Sequence, residues 1–424
     1  MATSSHFAQA AVAQDTDGTP DDVIVVTGRL STFGATKSDI PILETARSVS
    51  VIDAKTFLEK GALTLDDTLA YTAGVVGDAF GFSTRGNFAK VRGLNAPEYL
   101  DNIQVLFGNF NNARSDIYTL EQVEVLKGPT SVLYGQGSPG GIINLISKKA
   151  SLDYLDRELV LEYGTFDRLQ SAVDLGFKIN ESGSFTGRFV GVYRDSGTQV
   201  DFVDDDAIVV APSITYEDDA TRLTLLYEYI DRKSGSAHQF LPLAATACPS
   251  GDVTITINDI CAGGIERELD SSLFLGDPSF DRYNSSSHSV TAFAIRQLTD
   301  FLQFEATARF RDAEVDYRQS WIHIIGDGVT RINGNGDAKL RIWYKAPASS
   351  EQFAVDARFR ANFETGPVTH ELLVGASHQD VKTEELINAF LSIGGFNVFN
   401  PVYDGSQIPS LSDLSANSAP SKSS

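Results

Sequence analysis

The sequence predicts a small α+β domain followed by an antiparallel transmembrane β-barrel, and three observations carry that reading. Up to about residue 150 the pattern changes element type every few positions and is dense in Gly and Asn. From Glu158 onward, long runs alternate strictly between apolar and charged residues. The connections between those runs are alternately very short and very long, the parity of a barrel with short turns on one side of a membrane and long loops on the other.

Composition narrows the function classes. The chain has 424 residues, 34 Lys+Arg against 56 Asp+Glu and a formal charge of −22. Such acidity argues against a nucleic-acid partner, because phosphate binders cluster Lys and Arg. Hydrophobic residues make up 42%, enough for a core. Mean hydropathy is −0.10, and no window approaches the roughly 18–20 apolar residues of a spanning helix. That excludes a helical membrane protein and leaves a β-barrel open, since alternating strands average out in any hydropathy sum.

Residues 1–37 read as a flexible leader. Ala11-Val12-Ala13 has the shape of a signal cleavage site without the charged and apolar regions that precede one, so it is either a clipped export signal or an ordinary start. Asp21-Asp22-Val23-Ile24-Val25-Val26-Thr27-Gly28 is a β-branched run flanked by acids. It is a buried first strand or an extended peptide offered to a partner by strand addition.

Residues 38–150 form the α+β domain. Residues 49–53 read as a strand, and Asp53 as the N-cap of a helix stopped by Gly61. A second short helix runs from Leu65 to Thr72. Residues 123–127 are a strand ended by Gly128-Pro129, and residues 142–147 are another. Gly135-x-Gly137-x-x-Gly140 imitates the dinucleotide fingerprint, but Pro139 lies inside it and a β-branched run follows where the fingerprint needs a helix.

Residues 155–382 supply about nine strands. Phe353, Val355, Ala357, Phe359, Ala361 and Phe363 alternate with Asp356, Arg358, Arg360, Asn362 and Glu364. A soluble sandwich also alternates, but an unbroken apolar row opposite charged residues fits lipid outside and a wet lumen inside. Residues 233–286 and 317–350 read as long external loops. The first holds Cys248 and Cys261, for which a structural disulfide in an oxidising compartment is expected. The second holds Trp321, Trp343 and Tyr344, as ligand contacts or as an interfacial girdle. Residues 383–424 read as a loop or low-complexity tail.

Together, Leu120-Glu121-Gln122-Val123-Glu124-Val125-Leu126-Lys127-Gly128-Pro129-Thr130-Ser131-Val132-Leu133-Tyr134-Gly135, residues 138–149, Val91-Arg92-Gly93, the Leu65 helix and the box at 21–28 resemble the TonB-dependent outer-membrane siderophore receptors, nearest their ferric-hydroxamate (ferrichrome-like) branch. The resemblance implies an α+β plug domain lodged in a transmembrane β-barrel, here incomplete with about nine of about 22 strands, in the outer membrane of a Gram-negative bacterium. It further implies import of a ferric siderophore, with iron arriving already chelated and no cofactor held by the protein. The implied partners are TonB with its inner-membrane energising complex, and outer-membrane lipid and lipopolysaccharide. Asp22, Val23, Ile24, Val25 and Val26 would meet TonB. Phe82, Arg85, Phe110 and Asn111 fall on the plug apices that touch siderophore; Asn111 stands where ferrichrome-type receptors carry an aromatic. Read alone, Arg85 is either a fork of donors for ligand oxygens or a solvated loop charge.

The same family leaves open import of another bulky solute, such as cobalamin, a saccharide or a metal chelate. The short strand count leaves open a truncated, non-transporting fragment, whose plug is expected to fold and whose barrel is not expected to insert. No nucleophile–base arrangement suggests an enzyme.

Overall fold

The structure is a computed structural model that describes residues 37, 47–105, 114–135, 137–239, 269–322, 335–410, 414 and 419–423. The first domain opens with β1 (Ser48–Asp53), whose last residue caps α1 (Ala54–Glu59) by accepting the Thr56 amide at 2.6 Å. Gly61, at φ +74°, ends that turn. Thr64 and Asp67 then form a reciprocal capping box on α2 (Leu65–Thr68). The helix is shorter than expected, and turns carry the chain from Leu69 to Gly74. Three short strands, β2 (Val75–Val76), β3 (Lys90–Val91) and β4 (Leu94–Asn95), make a small sheet.

A second sheet contains β5 (Glu98–Leu100), β6 (Ile103–Gln104), β7 (Leu120–Lys127) and β8 (Gly141–Ser147), with α3 (Ser131–Tyr134) between the last two. Its order is β1-β7-β8-β5-β6. Phe57, Leu65, Leu69, Val91, Leu100, Leu120, Val123, Val125, Ile143 and Leu145 form the shared core. The glycine-rich turn before β8 serves packing. A Cβ on Gly140 would lie 2.2 Å from the Val91 carbonyl oxygen, and one on Gly141 2.1 Å from that of Leu126. A strand follows and no helix, so the turn cannot seat a pyrophosphate.

The remaining strands form one antiparallel sheet in sequence order: β9 (Arg157–Tyr163), β10 (Leu169–Lys178), β11 (Phe185–Asp195), β12 (Asp205–Glu217), β13 (Thr221–Ser234), β14 (Arg282–Thr299), β15 (Leu302–Ile322), β16 (Asp337–Thr365), β17 (Val368–Asn397) and β18 (Ala419–Ser423). All nine expected strands are present, and the short links fall at 179–184, 218–220, 300–301 and 366–367. Register sorts the side chains into two sets. Glu228, Ser289, Arg311 and Gln352 lie opposite one another in one row, while Tyr227, Val290, Phe310 and Phe353 form the adjacent row. Arg311 is 1% exposed and Phe310 51%. A soluble sandwich would invert that arrangement; charges inside and an apolar exterior are what lipid selects.

Two expectations are corrected. Residues 317–322 and 337–350 are strand and not loop: β15 extends to Ile322 and β16 begins at Asp337, so Trp321, Trp343 and Tyr344 stand on strands. The tail expected from 383 starts later, because β17 runs to Asn397, and residues 383–387 pair with β18. At about 3.3 Å per residue, strands of this length far exceed the roughly 30 Å hydrocarbon layer. Their ends next to the long connections therefore project beyond it.

Candidate ligand-binding site

The plug apex that carries Ser83, Thr84 and Arg85 is tethered to the chain leaving β13. Thr84 donates its hydroxyl to the Gly235 carbonyl at 2.6 Å and accepts the Ala237 amide at 3.2 Å. Arg114 donates to the Ser83 carbonyl at 3.1 Å, which fixes the loop from below. Arg85 thereby points at the barrel wall. It is 5% exposed, which rules out a solvated loop charge. Its guanidinium donates to the Tyr317 hydroxyl and to Gln319 Oε1, and lies 5.2 Å from the Tyr317 ring centre. Tyr317 in turn donates to Gln319 at 2.7 Å, and Gln319 donates to the His238 carbonyl at 2.8 Å.

Aromatic rings surround this cation. Tyr317 packs on Tyr283 (5.6 Å) and Tyr344 (5.3 Å), and Tyr344 on Trp321 (5.9 Å). On the plug side Phe88 lies 5.3 Å from His238, whose ring nitrogen contacts the Gly81 carbonyl. Burial lowers the basicity of the His238 imidazole, and the Arg85 charge adds to that while the Gly81 carbonyl opposes it. The result is a fixed fork of donors inside a phenol- and indole-lined wall. This suits a large ligand that presents anionic oxygens and flat organic surface.

Phe82 is half-buried against Val200, Val203, Ala237 and Phe274, so it anchors the apex to the external segments. Phe110, Asn111, Asp22, Val23, Ile24, Val25, Val26, Cys248 and Cys261 lie outside the described residues. Among the described residues no group of three or more His, Cys, Asp or Glu is placed to hold a metal ion. Tyr317, Gln319, Tyr283 and His238 escaped the sequence reading, which singles out Trp321 and Tyr344. Strand alternation puts the first two on the inner face, but nothing local says which plug residue they meet.

The plug and the wall are joined by ion pairs, most of them buried. Asp116 accepts from Arg194 at 2.8 Å and Arg232 at 3.0 Å, on β11 and β13. Asp101 accepts from Arg309 at 2.7 Å and Lys149 at 3.2 Å. Lys148 meets Asp174 at 2.8 Å, and Arg188 meets Glu121 at 3.0 Å. Burial pushes the Asp116 carboxyl up, but the Arg194 and Arg232 charges outweigh it and hold the group well below the carboxylate range. Asp101 is also lowered: burial opposes ionisation, and Lys149 and Arg309 overcome it.

With this geometry in place, the relatives are informative. The family model of the TonB-dependent receptor plug domain matches residues 41–142. The ferrioxamine B receptor of Salmonella typhimurium is 29% identical over 413 residues, covering 92% of this chain and 53% of the relative. The ferrichrome outer membrane transporter/phage receptor of Escherichia coli K12 is 26% identical over 402 residues, covering 89% and 51%. Among solved structures, the ferripyoverdine receptor of Pseudomonas aeruginosa superposes with a TM-score of 0.71 at 21% identity, covering 92% of this chain and 49% of that one. The ferric-catecholate import receptor Fiu of Escherichia coli gives 0.70 at 20% identity, with 87% and 54% covered. These two likenesses show the fold. The chain spans about half the length of the curated relatives it matches.

Proposed function

We propose that this chain, a member of the TonB-dependent siderophore receptor family, captures a ferric siderophore at the Arg85 apex for import across the outer membrane. The observation that carries the reading is the buried Arg85 guanidinium, held by Tyr317 and Gln319 inside an aromatic wall. A ferric hydroxamate presents oxygens of partial negative charge around the metal, and a guanidinium fork pairs with two of them at once. The Tyr317 hydroxyl yields its place to the ligand and turns to Gln319, with which it already shares a hydrogen bond. Iron is cargo here and stays on its chelator.

TonB engagement is assigned to Asp22, Val23, Ile24, Val25 and Val26, a strand-forming run able to add to a partner sheet through its backbone. Phe110 and Asn111 are assigned to the second apex, and Cys248 and Cys261 to one structural disulfide in an external loop. The outward apolar rows meet the acyl chains of outer-membrane lipid and lipopolysaccharide.

Equilibrium binding of ferric trihydroxamate, tricatecholate and citrate complexes to the full-length receptor tests the assignment. Arg85→Ala is expected to weaken the preferred complex at least tenfold, in line with about 1.5–3 kcal/mol for a charge-assisted hydrogen bond. Absence of binding to all three chelates overturns the siderophore reading in favour of another bulky solute. Deletion of residues 21–28 is expected to abolish uptake and leave binding intact; loss of binding as well would make that run a core strand.

A further inference from the structure

We propose that Lys37 is a latch: it pins the leader to the barrel wall between the 21–28 run and the first plug strand, and traction on the leader must break this pin before the plug sheet is loaded. The inference rests on the TonB reading above for the source of the pull.

Lys37 precedes β1, yet its side chain reaches across the molecule. Its ammonium lies 2.8 Å from Asp356 Oδ2 on β16, a partner 319 positions away, and 4.9 Å from the centre of the Tyr134 ring. The side chains of the pair are 7% and 12% exposed. A leader merely threaded past the plug has no reason to bury a lysine, since Lys is almost never fully buried unless paired.

Both anchors are rigid. The other oxygen of Asp356 accepts from Arg358 at 3.0 Å, Arg358 reaches Glu305 on β15 at 2.6 Å, and Glu305 also accepts from Arg360 at 2.7 Å. Asp356 is therefore fixed in a network that belongs to the wall. Tyr134 donates to Asn102 at 3.1 Å, and its carbonyl accepts from Tyr99 at 3.0 Å, so the ring is fixed to the plug. Lys37 thus bridges plug and wall at one point. A pull arriving from upstream meets Lys37 before it meets Ser48, where β1 begins its six-residue pairing with β7.

The geometry has a mechanical consequence. A buried ion pair resists small displacement because each charge, once separated, is stranded in a medium of low dielectric constant. Its range is short, so it holds the leader against thermal motion and releases completely once the charges part. The pin would keep an idle receptor's plug unloaded and give traction a threshold.

The test uses the full-length receptor with C248S and C261S, carrying K37C and D356C joined by a short bismaleimide or by a reducible analogue. Cross-linking is expected to lower siderophore uptake at least tenfold, to leave binding unchanged, and to be reversed by reducing the cleavable linker. Transport at the uncross-linked rate overturns the latch. If that happens while deletion of residues 21–28 still abolishes uptake, only the latch falls; if the deletion leaves uptake intact, the TonB reading falls. In a second arm, K37M and D356N are each expected to speed protease cleavage of the leader in unliganded receptor several-fold. The swap of K37D with D356K restores the slow rate, which a merely structural role does not require. Cleavage at the wild-type rate in both single variants also overturns it.

Discussion

Asp116 shows how much a single charge determines at this interface. It is 2% exposed and sits between two arginines supplied by the wall. Removing it leaves Arg194 and Arg232 to share Asp205, at 3.3 and 3.7 Å, so Asp116→Ala is expected to destabilise plug docking by about 3–5 kcal/mol, read as a lowered urea midpoint for plug release. Its carboxyl titrates below the unfolded value of about 3.9, so its contribution is complete above that pH and is lost as pH falls through the lower folded value. Glu98 behaves oppositely. Burial pushes its carboxyl up to about 7, so stability falls as pH rises from about 4.5 towards 7. Glu98→Gln is therefore expected to be neutral near pH 4.5 and stabilising at pH 8, by about 1–2 kcal/mol after solvent screening of a half-buried group. Melting curves of the solubilised receptor at the two pH values would check both sign and size. Arg85 was legible as a candidate through its place in the Ser83-Thr84-Arg85-Gly86 run. Its partner Tyr317 was not, because the two are 232 positions apart and only the folded chain brings them together.

At the scale of elements, what could be read is what lipid writes into the sequence. Strands β9 to β15 announced themselves because one face must be apolar wherever it meets acyl chains. The same signal fades where a strand leaves the membrane. Midway along β16 and β17, around 348–351 and 382–385, polar residues stand on both faces, with Lys382 and Glu384 outward and Thr383 and Glu385 across from Ser350 and Ala348. Their pairing is held by backbone hydrogen bonds, which leave no periodic trace, so a strand extension looked like a tail. The glycine turn before β8 was legible as a non-nucleotide site, but its purpose was not: the close approach of Gly140 to Val91 joins two sheets. Gly140→Ala is expected to cost about 1–3 kcal/mol of plug stability by forcing those backbones apart. Gly137→Ala, whose new methyl would meet only the Thr130 hydroxyl at 3.1 Å and a methyl of Ile142 at 3.7 Å, should cost less. A urea series on the two variants would separate close backbone approach from general glycine flexibility.

At the scale of the molecule, plug and barrel act as counter-ions to one another. The plug brings Asp101, Asp116 and Glu121 to Arg309, Arg194, Arg232 and Arg188, and Lys148 to Asp174 of the wall. A wall lined with arginine is tolerable beside an acidic plug or beside water, and costly in any half-withdrawn state where neither reaches it. This favours two arrangements, fully seated or displaced far enough to hydrate the wall, over a continuum between them. The aromatic wall around Arg85 and the ion pairs share elements: Arg114 holds the Ser83 carbonyl with one nitrogen and Asp205 with another, at 3.1 and 3.3 Å. Asp205 also lies against Arg194. Weakening the pairs should therefore open the pore without any pull. The double variant Asp101→Ala with Asp116→Ala is expected to admit large antibiotics that the intact outer membrane excludes, in cells lacking TonB, while the heat-modifiable gel mobility of the barrel stays unchanged. Unchanged antibiotic sensitivity would mean that backbone packing, and not charge, seats the plug.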